Sequence, residues 1–230
     1  MDIVMIPGFW LGASSWDAVA APLRAAGHTV HALTLPGLES VDADRTGITL
    51  QDHVDAVVAV VDEIGHPVIL VGHSGGGAIA HDVVDARPDS VIRVVYVDSG
   101  PLGDGEPIND ELPVVGDEVP LPDWSVFEEP DLVDLTDELR EWFRSIAVPE
   151  PVRVTSDGQS VSNPRRYDIP ITVICCEFNT EQLKGYLAAG AMKELGRMKD
   201  VEYVDLPTGH WPQFTRPADL AATILAAIGR

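Results

Sequence analysis

Ser74 stands in a setting that could make a serine reactive. It lies in Gly72-His73-Ser74-Gly75-Gly76-Gly77, directly after the apolar run Val68-Ile69-Leu70-Val71 and before a helical run from Ala78. This is G-x-S-x-G between a strand and a helix, a turn that lifts a serine above the edge of a sheet. Such a turn strains the serine backbone and brings neighbouring chain very close, so Gly72 and Gly76 supply positions without a colliding side chain. Ser74 would then sit at a helix N-terminus, where N–H groups and the helix dipole favour developing negative charge.

A serine hydroxyl is a poor nucleophile until a base takes its proton. His210 is the candidate, in Asp205-Leu206-Pro207-Thr208-Gly209-His210-Trp211, after the last apolar run and before the last helical one. That order brings it to the same carboxyl edge of a sheet as Ser74. His28, His31 and His53 belong to early elements, His66 precedes a strand at the opposite edge, His73 points away within the turn, and His81 lies one turn into the helix. Acyl transfer also needs donors for an oxyanion. The first strand runs into Pro7-Gly8-Phe9-Trp10-Leu11-Gly12, and the N–H groups of Phe9 and Gly75 are the natural pair.

Those residues need a scaffold. Apolar runs recur at Ile3–Ile6, Thr29–Leu33, Val68–Val71, Val91–Val97, Ile171–Cys176 and Val201–Leu206. They are short, rich in β-branched residues and apolar on both faces, as expected for a parallel sheet covered by helices. Helical patterns alternate with them at Ser15–Ala26, Thr49–Ile64, Gly75–Ala86 and Pro217–Ile228. Thr49 can cap the second and Gly65 can end it. The expectation is an α/β fold with right-handed crossovers. If the first strand pairs with both the second and the third, the chain order reverses beside it, and the Phe9 loop and Ser74 flank the crevice there.

Residues 101–168 break the rhythm. They are rich in proline and acids, with one amphipathic helix expected around Asp131–Ile146. The segment is too long for a plain connection between core strands. Trp124, Phe127, Trp142 and Phe143 favour a packed lid over a disordered insertion. The division expected is therefore a core of 1–100 and 169–230 with a lid of 101–168.

Composition excludes other classes. With 37 acidic and 15 basic side chains among 230 residues, the net charge is −22, so nucleic acid and anionic membranes are disfavoured partners. Only Lys184, Lys193 and Lys199 are lysines. Hydrophobic residues at 45% and charged residues at 23% exclude wholesale disorder. No apolar run is long enough for a membrane span. Met1–Ile6 lacks a basic leader and reads as a strand, so a cytoplasmic location is expected. The only cysteines, Cys175 and Cys176, are adjacent. They have no metal-ligand spacing, would point to opposite faces of a strand, and read as buried thiols.

The chain resembles the α/β-hydrolase superfamily, and within it small esterases of the plant methyl esterase and hydroxynitrile lyase type. The resemblance runs through Gly8-Phe9-Trp10, Gly12-Ala13-Ser14-Ser15-Trp16, Ala26-Gly27-His28-Thr29-Val30, Leu35-Pro36-Gly37, the Ser74 turn and Gly209-His210. It implies a serine nucleophile at Ser74, a base at His210, oxyanion donors at Phe9 and Gly75, a lid over 101–168, and no cofactor or metal. The sequence departs from the family in three ways. Pro7 replaces the histidine usual before the oxyanion glycine. The two leading antiparallel strands have no counterpart, which leaves a compact, mostly parallel six-stranded sheet with helices on both faces. Asn179, in Cys176-Glu177-Phe178-Asn179, stands where the family places its acid. An amide can hydrogen-bond an imidazole but cannot offset its positive charge.

The third residue of the site therefore has three candidates. Asp98 follows Val94-Val95-Tyr96-Val97 at the same sheet edge and is the first choice. Glu177 is expected to flank its strand end on another face, and Asn179 lacks charge; a Ser–His dyad or another acid is the remaining case. The reading is a serine hydrolase of small carboxylic esters or lactones, with Trp10, Trp124, Phe127, Trp142, Phe143 and Trp211 as an aromatic pocket. A lyase using the same pair, or a non-catalytic binding protein, is the alternative. Trp211 stands where related hydroxynitrile lyases carry a lysine, which argues against cyanohydrin cleavage.

Overall fold

The computed structural model describes residues 1–229. Strand β1 (Asp2–Ile6) leads through a 3₁₀ turn to helix α1 (Asp17–Ala25), then β2 (Thr29–Ala32), α2 (Leu50–Ile64), β3 (Val68–His73), α3 (Gly75–Ala86) and β4 (Val91–Val97). The 101–168 excursion holds β5 (Glu118–Val119), α4 (Glu129–Leu132), α5 (Asp137–Ile146), β6 (Glu150–Pro151) and α6 (Val152–Ser156). The chain returns with β7 (Ile171–Cys175), α7 (Thr180–Ala188), β8 (Val201–Asp205), α8 (Pro212–Thr215) and α9 (Pro217–Ile228).

The main sheet has six strands in the order β2-β1-β3-β4-β7-β8. Every pairing in it is parallel. Strand β1 lies between β2 and β3, so the chain order reverses there as expected.

Side chains alternate across the pleat into two apolar layers. Val4, Ile6 and Leu70 pack with Val57 of α2 and Val83 of α3 on one face. Ile3, Met5 and Val71 pack with Leu23 of α1 and Ile224 of α9 on the other. Cys175 joins the first layer and Cys176 the second, and both thiols are free and buried. Thr49 accepts from Asp52 N and caps α2, and Gly65 ends that helix at φ 73°.

The excursion is ordered and packed. Strands β5 and β6 pair antiparallel, Val119 opposite Glu150, and Val119, Leu135, Phe143 and Val154 are buried. One expectation is corrected here: 131–146 is two helices. Helix α4 stops at Leu132, and Thr136 starts α5 by accepting from Leu139 N at 3.3 Å. The apolar stripe runs through the break because Leu132 and Leu139 both pack against the layer that buries Leu135. No helix among the described residues is long and apolar enough to cross a membrane.

Candidate active site

Strand β3 ends at His73 and α3 begins at Gly75, so Ser74 alone makes the turn. Its backbone is strained, with φ 51° and ψ −126°. The glycines explain how the turn fits. A Cβ on Gly76 would lie 2.4 Å from the Pro7 carbonyl oxygen, and one on Gly72 would lie 2.5 Å from the Gly76 carbonyl oxygen. The turn is pinned on both sides: Ser74 N donates to Val97 O at 3.1 Å, and Ser99 Oγ donates to Ser74 O at 2.6 Å.

Ser74 Oγ lies 2.8 Å from His210 Nε2. On the other edge of that ring, Nδ1 lies 2.7 Å from Asp98 Oδ2. A carboxylate only accepts, so Nδ1 carries a proton, and in the neutral ring Nε2 accepts from the serine hydroxyl. Asp98 is itself fixed. It has φ 46°, and its Oδ1 accepts from Cys176 N at 3.0 Å and Glu177 N at 3.3 Å.

Glu177 was expected on another face, and the structure corrects this. Its Oε1 is 2.5 Å from His210 Nδ1, so two carboxylates face one imidazole nitrogen. Glu177 follows β7 by two residues, and its side chain is long enough to turn back over the strand end. Asn179 does not take part. It is the N-cap of α7, and its side chain accepts from Gln182 N at 2.9 Å.

The His210 backbone is clamped. Its N–H donates to Asp131 O at 2.9 Å, its carbonyl accepts from His73 Nε2 at 2.7 Å, and Gly209 N donates to Asp134 Oδ1 at 2.9 Å. Burial lowers the His73 pKa to about 3, so this clamp is a neutral ring at every working pH. For His210 burial also acts downward, but hydrogen bonds and charge from Asp98 and Glu177 outweigh it and raise the pKa to about 10. Burial raises the Glu177 carboxyl, and burial followed by the charge of Glu177 raises that of Asp131. Crowded acids around one imidazole hold its proton tightly.

These groups border a cavity of about 320 Å³. Phe9, Trp10, Gly75 and Phe127 line it beside Ser74 and His210. Aliphatic lining comes from Leu102, Ile108 and Leu112 at the start of the excursion. Four expected pocket residues do not reach the cavity, which is a second correction. Phe143 and Trp211 are fully buried behind it, Trp124 packs on both at 5.7 and 6.0 Å, and these rings support Phe127 rather than a ligand. Trp142 lies outside, 43% exposed and edge-on to Phe214. Trp142 and Phe143 are adjacent on a helix and point roughly 100° apart, so they could not both face one cavity. Asp131, Asp134 and the Glu150 carboxyl described below were not singled out by the sequence.

Asp98, Glu177 and His210 are also close enough together to hold a cation. Their donors are already directed at one another around Nδ1, which accounts for the cluster without a metal.

The family model "Alpha/beta hydrolase family" matches residues 3–223. A carbendazim hydrolyzing esterase of Nocardioides sp. is 33% identical over 100 residues, 43% of this chain and 41% of that one. Methylesterase 7 of Arabidopsis thaliana is 35% identical over 99 residues, 41% of this chain and 38% of that one. The matched stretch thus spans about two-fifths of either curated relative. A solved extracellular α/β-hydrolase from a Paenibacillus species superposes with a TM-score of 0.79 at 22% identity, covering 99% of this chain and 98% of that one.

Proposed function

Because the chain belongs to the alpha/beta hydrolase family, we propose that it is a serine hydrolase of small carboxylic esters or lactones. The observation that carries this reading is the continuous contact from Ser74 Oγ through the His210 ring to Asp98, 2.8 and 2.7 Å, with all three residues lining one cavity. His210 Nε2 takes the hydroxyl proton as Ser74 Oγ attacks the ester carbonyl. The N–H groups of Phe9 and Gly75 receive the oxyanion. Nε2 then gives its proton to the leaving alcohol, and an acyl-enzyme remains on Ser74. Water, deprotonated by the same nitrogen, releases the acid and restores the serine. Asp98 holds the ring in the tautomer this cycle needs.

The named relatives support the ester class, since one is an esterase and the other a methylesterase by name. A cyanohydrin lyase is disfavoured because Trp211 is buried behind the cavity and no lysine lines it. Asp98, Asp131 and Glu177 border the cavity, so neutral or cationic esters should enter more readily than anionic ones.

The test is a chain-length panel of aryl esters, including a carboxylate-bearing analogue, run with wild type and Ser74→Ala. Loss of the nucleophile should lower kcat by at least about 10³ with an unchanged fold. Retention of more than about a tenth of wild-type activity would refute the assignment.

A further inference from the structure

Trp10 is bound at three places, all by the excursion. Its N–H donates to Glu150 Oε2 at 3.0 Å, its carbonyl accepts from Val148 N at 2.9 Å, and its indole Nε1 donates to Val119 O at 3.0 Å. Glu150 and Val119 face each other across the β5–β6 pair, so one small ribbon grips both the backbone and the ring. The grip is needed because Trp10 has φ 66°, a left-handed conformation that a bulky residue adopts only when its surroundings enforce it.

Glu150 is an expensive way to accept one hydrogen bond. It is 2% exposed. The Arg45 guanidinium nearby is engaged with Glu118 and with carbonyls that include Pro149 O, and His53 Nδ1 is 3.9 Å away. Burial pushes the Glu150 carboxyl up to about 8, so it is a neutral acid at pH 7. A fold that needed only packing would bury an apolar side chain here.

The neighbour of Trp10 shows what the bond controls. The Phe9 ring lies against the Ser74 turn, where a Cβ on Gly75 would come within 2.7 Å of Phe9 Cε1. Phe9 is therefore held between that turn and the fixed Trp10 peptide. No described residue accepts a hydrogen bond from the Phe9 N–H, which leaves this donor available at the cavity. We propose that Glu150 is a positioning residue for the reaction: by accepting the Trp10 N–H it fixes the Phe9–Trp10 peptide and so aims the Phe9 N–H at the oxyanion. The inference rests on the serine-hydrolase reading and assigns to the excursion a part in the chemistry that coverage of a pocket does not require.

Glu150→Met and Glu150→Gln separate this role from packing. Methionine fills the site without a strong acceptor, whereas the glutamine amide oxygen still accepts the Trp10 N–H. Glu150→Met should lower kcat on an aryl ester about 10–100-fold, part of what a lost oxyanion donor costs, with KM within about threefold. Affinity for a trifluoromethyl ketone, which adds reversibly to the serine and places an oxyanion in the hole, should fall by the same factor. Glu150→Gln should restore most of both. A purely structural role would lower thermal stability and leave kcat per folded molecule and ketone affinity unchanged. The inference is overturned if folded Glu150→Met has wild-type kcat, or if Glu150→Gln falls as far as Glu150→Met. If Glu150→Met does not fold, the ketone affinity of Glu150→Gln decides: wild-type affinity supports the role, and about tenfold weaker binding overturns it. Failure of the hydrolase reading looks different, because Ser74→Ala would then keep its activity.

Discussion

Ser74 and Asp98 leave adjacent parallel strands, and the ladder sets their spacing. His73 is in register with Val97, Ser74 N bonds Val97 O, and Asp98 N bonds Ile174 O on the next strand. His210 and Phe9 ride on loops, and apart from the His73 bond to the His210 carbonyl the backbone contacts that hold them come from the excursion. Asp131 O receives the His210 N–H, Asp134 receives that of Gly209, and Glu150 receives that of Trp10. One side of the site is thus built by sheet register and the other by contacts from residues 101–168. Changes on the sheet side should remove chemical groups outright. Changes on the excursion side should loosen geometry while leaving those groups present.

The largest effect, after loss of Ser74 itself, should come from Asp98→Asn. An amide can present an N–H toward Nδ1 and favours the wrong tautomer, so kcat should drop by about 10²–10⁴. The lower end applies if Glu177, 2.5 Å from the same nitrogen, takes over the role. Steady-state kinetics with a check of the fold decides, and a near-normal kcat in Asp98→Asn combined with collapse in Glu177→Gln would reverse the two acids' roles.

Glu177→Gln should act mainly on pH dependence. His210 works as a base only when neutral, and its pKa is raised to about 10 by hydrogen bonds and charge from Asp98 and Glu177 acting against burial. The rising limb of kcat/KM should therefore lie above the ordinary histidine value of about 6.5. Removing one of the two charges should move that limb to lower pH by roughly one unit. A limb unmoved by the substitution would show that Glu177 is not ionised when the base titrates.

The smallest effect concerns stability on the excursion side. The Glu150 carboxyl is raised from an unfolded value of 4.5 to about 8 in the fold, because burial disfavours its charge. Above 4.5 the unfolded chain releases a proton that the native state retains, so the contribution to stability is complete at low pH and is lost as pH rises towards 8. Glu150→Gln carries no such proton. Its melting temperature relative to wild type should climb steadily as pH increases across that window. A constant difference would mean that Glu150 does not titrate there.

The same two regions differ in how far the sequence foretells them. The sheet side was legible because its determinants are side-chain types: β-branched runs, the cap at Thr49, the stop at Gly65 and the glycines around Ser74. Asp98 could be placed ahead of Glu177 and Asn179, though not alone, as an acid at the end of a strand at the same sheet edge as Ser74. The excursion side was not legible, because some of its contacts use main-chain groups such as Asp131 O and Val119 O, which leave no trace in residue identity. Glu150 lies 140 positions from Trp10, with no periodic pattern to join them. Glu177 was placed wrongly because strand parity predicts where a side chain starts, not where a flexible one ends. The six aromatics looked alike in sequence, and only packing separated Trp10 and Phe127 at the cavity from the four behind or outside it.

The central claim is that Ser74, activated by His210, is the nucleophile. A fluorophosphonate probe reacts with such a serine, and peptide mapping by mass spectrometry locates the adduct. The account predicts a single adduct on the peptide containing Ser74, absent in Ser74→Ala and strongly slowed in His210→Ala. An adduct on another residue, or ester hydrolysis that continues undiminished with Ser74 unlabelled, would contradict it.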